Sequence, residues 1–210
     1  FDAQEYEAAA QAFAELGSYE DAKQRVTASE DAWLSADYNS AKMDTELGDY
    51  AAVISELEPY YESSLPTRYA EMHEMYESAC LLRAQELTAL GRPLDAYPIL
   101  KRIEGNKTAK KRLEAYVYQL IGRWKDTRGT EYVFREDGSC RIAGEEGYFG
   151  GSGYEITVGS EPYPTTGAYS VVSVRGSTVT LRGLQSGKTI RLSYLGEATP
   201  KEESAENPEN

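Results

Sequence analysis

Apolar positions recur at helical spacing through the first 120 residues and at alternate positions after them. Between Gln4 and Leu16, the side chains of Tyr6, Ala9, Ala10, Phe13 and Leu16 share one face of a predicted helix. Gly17 stops that helix, because glycine adopts the left-handed cap conformation without a Cβ penalty. Ser18, with Asp21 three residues on, forms an approximate capping box for the next helix. The same punctuation returns at Leu47-Gly48-Asp49-Tyr50-Ala51-Ala52-Val53 and at Leu90-Gly91-Arg92-Pro93-Leu94-Asp95-Ala96. Each copy predicts a helix ending in Leu-Gly, a polar turn, and a new helix whose small or apolar residue packs against the last. Glu58-Pro59-Tyr60-Tyr61 and Leu65-Pro66 form a proline-broken connection ahead of a helix over about 67–90. Pro98 lies near a helix start or marks a kink, and a last helix spans 107–121 with Leu113, Tyr116, Val117 and Leu120 on one face.

After Ile121 the period changes. Strands are expected near Trp124 and over 132–134, 140–143, 154–158, 169–174, 178–181 and 189–194, with hairpin turns at Asp137-Gly138, Arg175-Gly176-Ser177 and Ser186-Gly187. The stretch from Gly144 to Gly153 holds five glycines, and its expected form is a long flexible hairpin, the alternative being a mobile loop that presents Tyr148 and Phe149 to a partner or a sugar ring. The fold class is therefore α+β in two domains. Residues 1–120 form helical hairpin repeats, and residues 121–197 form a small antiparallel β-barrel or sandwich. An acidic tail, 198–210, lacks apolar residues other than alanine and is expected to be disordered.

The stretch from Tyr6 to Val26, with Phe13, the Leu-Gly-Ser-Tyr turn and Asp21-Ala22, resembles degenerate tetratricopeptide-type repeats over roughly residues 3–120. That resemblance implies a stacked solenoid that binds protein or peptide. Gly122-Arg123-Trp124, followed by Phe134 and Asp137-Gly138, resembles the start of small lipocalin-like β domains. Chains combining such repeats with such a domain imply a bacterial, extracytoplasmic protein. The chain starts at Phe1 and not at Met, so a mature or trimmed product is expected, with an anchor or signal already removed.

Charge narrows the partners. The net charge is -13 over 210 residues. Residues 1–100 carry 20 acidic and 6 basic side chains, whereas 101–125 carry 8 basic and 2 acidic. Such a surface repels nucleic acid and anionic lipid at long range, so neither is expected as the main partner. The basic block, which includes Lys101, Arg102, Lys107, Lys110, Lys111 and Arg112, is expected to face the acidic repeats or to sit at helix C-termini, the alternative being an anionic partner. No stretch approaches the roughly 18 uninterrupted apolar residues of a membrane span.

Candidate chemistry is sparse. His73 is the single histidine, and with Glu77 in place of a second ligand the His73–Glu77 pentapeptide makes no zinc helix; an ordinary helical surface position is expected. Ser186-Gly187-Lys188-Thr189 has Arg182 where a phosphate loop needs glycine, and it joins two strands. Cys80 and Cys140 have no metal spacing and are expected as buried free thiols. Neither a catalytic group, a metal nor a cofactor is expected, and the chain is read as non-enzymatic.

What remains is recognition. The 17 tyrosines outnumber the 4 phenylalanines. Trp33, Tyr60, Tyr61, Tyr69 and Tyr76, with carboxylates such as Glu71 and Glu74, are expected to line a concave groove suited to a basic or amphipathic peptide. The alternative is a small-ligand or glycan site on the β domain at Trp124, Tyr148 and Phe149, carried on a helical stalk.

Overall fold

A computed structural model describes residues 3–17 and 21–198. The Ser18 turn, Tyr19 and the acidic tail beyond Ala198 lie outside the described residues. The chain divides into two compact units, residues 1–83 and 84–210. The expected boundary at 120/121 marks where helix gives way to strand, whereas compactness divides the chain earlier. Three short helices fall in the same compact unit as the strands.

The first unit contains α1 (Ala3–Glu15), α2 (Ala22–Leu47), α3 (Tyr50–Leu57), two 3₁₀ turns (Glu58–Tyr60 and Thr67–Tyr69) and the start of α4 (Glu71–Ala89). The Leu-Gly punctuation has a defined geometry. Gly48 takes φ 77°, its N–H donates to the Thr45 carbonyl at 3.2 Å, and the Asp49 N–H donates to Asp44 at 2.9 Å. Gly91, at φ 74°, repeats the pattern with Thr88 at 3.1 Å and Leu87 at 2.8 Å. Both are Schellman caps, which satisfy the last carbonyls of α2 and α4. The residue five places after each glycine (Ala22, Val53 and Ala96) is buried, at 2%, 0% and 0% exposure. The leucines before the glycines face solvent instead, with Leu16, Leu47 and Leu90 at 53%, 74% and 67%. The repeat thus encodes a cap and one packing contact. Asp21 directly precedes α2 but makes no side-chain cap bond; it pairs with Arg25 at 2.9 Å. Asp49 does cap α3, accepting from the Ala52 N–H at 3.1 Å.

The second unit begins with the end of α4, then α5 (Pro93–Arg102), α6 (Lys107–Leu113) and α7 (Tyr116–Gln119). Pro98 lies inside α5. The single helix expected over 107–121 is broken, because Ala115 adopts an extended conformation (φ −59°, ψ 140°) between α6 and α7. The basic residues fall where a helix dipole favours them: Lys101 and Arg102 close α5, and Lys110, Lys111 and Arg112 close α6.

Eight strands follow: β1 (Gly122–Asp126), β2 (Glu131–Phe134), β3 (Ser139–Ile142), β4 (Glu145–Ser152), β5 (Glu155–Gly159), β6 (Gly167–Arg175), β7 (Thr178–Gly183) and β8 (Thr189–Gly196). Each pairs antiparallel with the next, and β8 returns to β1 to close a barrel, with Trp124 opposite Tyr194. Closure removes the unpaired edges of a sheet. Burial alternates along β1, with Gly122, Trp124 and Asp126 inward and Arg123 and Lys125 outward. Gly122, at φ +138°, has to be glycine, since a Cβ there would lie 2.5 Å from the Tyr194 ring.

The flexible hairpin expected over 144–153, like its mobile-loop alternative, is corrected: most of the segment is strand β4. Its glycines serve close approach and not flexibility. A Cβ on Gly147 would stand 2.7 Å from the Gly159 carbonyl oxygen, and one on Gly151 would stand 2.3 Å from that of Glu155. Phe134, Phe149, Ile156, Val179, Leu181 and Leu192 are each at most 2% exposed and fill the barrel interior, as eight strands allow. Cys80 and Cys140 are both free and buried. Among the described residues, no helix is long and apolar enough to cross a membrane.

Candidate functional site

The tyrosines expected in a groove are drawn together, but mostly inward. Tyr60 is 8% exposed, and its hydroxyl donates to Asp37 Oδ2 at 2.5 Å. Tyr69, at 6%, donates to Asp31 Oδ1 at 3.0 Å. Tyr61 is half-buried and donates to Glu77 Oε1 at 2.8 Å. Burial, reinforced by that carboxylate, pushes its phenol up to about 12. Tyr76 is 1% exposed and lies against Tyr61 with ring centroids 4.6 Å apart. Trp33 meets Tyr60 edge-on at 6.1 Å. His73 is not an ordinary surface residue: it is half-buried, and its Nε2 donates to the Tyr60 carbonyl at 3.1 Å. These side chains form the polar-aromatic core of the first unit.

Glu71 and Glu74 border a groove along α4. Helix α4 carries two stripes. Met72, Tyr76, Ala79 and Cys80 are at most 3% exposed and form its packed face. Glu71, Glu74, Met75, Ser78 and Leu82 run beside them at three- and four-residue spacing. With Thr45 near the end of α2 and Tyr50 at the start of α3, this second stripe bounds a groove of about 280 Å³. The acids stand toward its α4 N-terminal end, and Leu82, 40% exposed, lies at the other. Glu71 accepts from the Tyr38 hydroxyl and stands 3.8 Å from Lys42 Nζ, so its carboxylate is held in place. Thr45 spends its hydroxyl on the Ala41 carbonyl at 2.7 Å. The surrounding unit is strongly acidic, since residues 1–83 carry 18 acidic and 5 basic side chains.

The alternative site is not assembled at the surface. Trp124 is 3% exposed and donates from Nε1 to the Leu120 carbonyl at 2.6 Å. Phe149 is 2% exposed and meets Phe134 edge-on at 4.9 Å. Tyr148 is half-buried on β4. Thus two of the three aromatics are core residues. The described residues contain no group of three or more His, Cys, Asp and Glu side chains able to hold a metal.

Comparison of the chain with protein-family models, curated proteins and solved structures found no match. Geometry and charge therefore carry the functional argument.

Proposed function

We propose that this chain is a non-enzymatic protein-binding module whose first unit receives a basic amphipathic helix or peptide along α4. The observation that carries this reading is the uncovered stripe Glu71, Glu74, Met75, Ser78 and Leu82, which sets two carboxylates and two apolar side chains in line. A helical ligand with apolar residues at i, i+3 or i+4 and i+7 and with lysines at one end complements it. The excess of acid on the unit favours encounter with such a cation over any anionic partner. We also infer a bacterial, extracytoplasmic setting, the one implied by the resemblance to repeat-plus-β-domain proteins, and fractionation of the source cells checks it.

Selection from a displayed peptide library against the full chain tests the groove. The recovered sequences should be basic with helical apolar spacing. Glu74→Lys combined with Leu82→Glu should weaken them at least about tenfold, as removal of one charge contact and one apolar contact does. Acidic or patternless sequences, or binders indifferent to both substitutions, would overturn the reading.

A further inference from the structure

The second unit carries a larger cleft, unrelated to the α4 groove. Its volume is about 720 Å³, within the range of about 300–1,000 Å³ that small-ligand sites occupy. Ala84, Pro93, Leu100 and Val117 give it an apolar floor, each being buried. Tyr118 closes one side. Its hydroxyl donates to the Pro93 carbonyl at 2.8 Å, and burial pushes the phenol up to about 12, so it remains neutral at ordinary pH.

The rim has a different character. Lys111 and Arg112, from the last turn of α6, stand at the cleft, and the end of β4, Gly151-Ser152, lines it together with the turn residue Gly153. Helix α6, Lys107–Leu113, has four basic residues and no acid. One carboxylate, Glu114, is among the lining groups. In a chain of net charge -13, an apolar hollow rimmed by cations is an electrostatic exception.

We propose that this cleft binds a small organic anion with an apolar body, of the medium-chain carboxylate class. Lys111 and Arg112 hold the charged head, and the chain lies on the floor from Ala84 to Val117. The two halves of the site make separable demands. Cations alone suit inorganic phosphate, and an apolar floor alone suits an alcohol; the pair selects a molecule that is both.

The test titrates the full chain with decanoate, decanol and inorganic phosphate, by calorimetry and by amide shifts in nitrogen-15 spectra. Decanoate should bind and shift amides within 84–89, 111–118 and 151–153. Decanol should bind at least about tenfold more weakly, and phosphate should not saturate over the same range. Lys111→Glu with Arg112→Glu should weaken decanoate about tenfold and leave decanol unchanged, an effect of the size that two partly screened charge contacts give. Ala115→Trp, placed at an exposed lining position, should abolish both by filling the cleft. No decanoate binding, equal affinity for decanoate and decanol, phosphate as tight as decanoate, or shifts lying elsewhere would each overturn the proposal. Glu74→Lys should leave decanoate binding unchanged, which separates this site from the α4 groove.

Discussion

In the first unit, Tyr38, Tyr60, Tyr61 and Tyr69 donate to carboxylates on neighbouring elements. In the barrel, the inward side chains that fill the centre are Phe134, Phe149, Ile156, Val179, Leu181 and Leu192. The first arrangement is directional. Each hydroxyl fixes where one helix stands on another, for a modest net gain, because both partners were hydrogen-bonded to water before folding. The second is not directional and scales with apolar area removed from water. The barrel can therefore be specified by alternation and closure, whereas the helical unit depends on pairing particular side chains far apart in sequence. It also follows that tyrosines turned inward are not available to a partner. The mixed stripe on α4 lies outside that packed core.

The comparison breaks most visibly if a barrel core residue is removed. Phe134→Ala deletes a ring that is 0% exposed and packed against Phe149. The expected cost is about 3–5 kcal/mol, from lost transfer energy and the cavity left behind. Urea unfolding followed by near-ultraviolet dichroism of the barrel aromatics should show the loss, with a smaller change in the helical signal at 222 nm. An equal shift in both signals would mean that the two units unfold as one.

A single hydroxyl sharpens the other side. Tyr60→Phe keeps the ring against Trp33 but leaves the half-buried Asp37 carboxylate without its 2.5 Å donor. Hydrogen bonds to charged groups contribute about 1.5–3 kcal/mol, and partial exposure of Asp37 lowers the expectation to about 1–2. The loss should appear in the helical transition and leave the barrel signal in place. A negligible change would mean that packing, and not pairing, sets this unit's geometry.

How much of this was legible in the sequence follows the same divide. Caps and alternation are local, so Gly17, Gly48 and Gly91 were readable as helix stops, and the hairpin turns at Gly138, Gly176 and Gly187 as strand ends, all at positive φ. Strand β4 was missed because glycine density reads as flexibility, while the reason for Gly147 and Gly151 is a carbonyl on the next strand. The break at Ala115 was hidden because 107–121 keeps helical spacing across it. Tyr69 and Asp31 are 38 residues apart, and nothing local couples them. On α4, Glu71 and Glu74 were readable as neighbours at i and i+3. Which of its two stripes is covered was not, because 72-76-80 and 71-75-78-82 are equally good helical spacings.

The smallest expected effect concerns Glu56, whose Oε1 accepts from Ser40 at 2.7 Å while its Oε2 is buried without a hydrogen-bond partner. Burial holds this carboxyl above its ordinary value of 4.5. The Ser40 bond opposes that shift, and the charges of Asp44 and Asp37 add to it. The folded chain therefore keeps a proton that the unfolded chain has already released. Below 4.5 both states are protonated and nothing is lost. As pH rises from there through the raised folded value, ionisation in place becomes a cost, and stability falls by the full amount above that value. Glu56→Gln retains an acceptor for Ser40 and supplies an amide donor toward Asp44. The variant should match the parent at pH 3.5 and unfold at a higher temperature at pH 7; after allowance for solvent screening the gain stays below about 1 kcal/mol. Thermal melts of the helical signal at the two pH values check it. A parent that is more stable than the variant at pH 7 would show that the Glu56 carboxylate is satisfied in solution, and that the polar core of the first unit is complete without it.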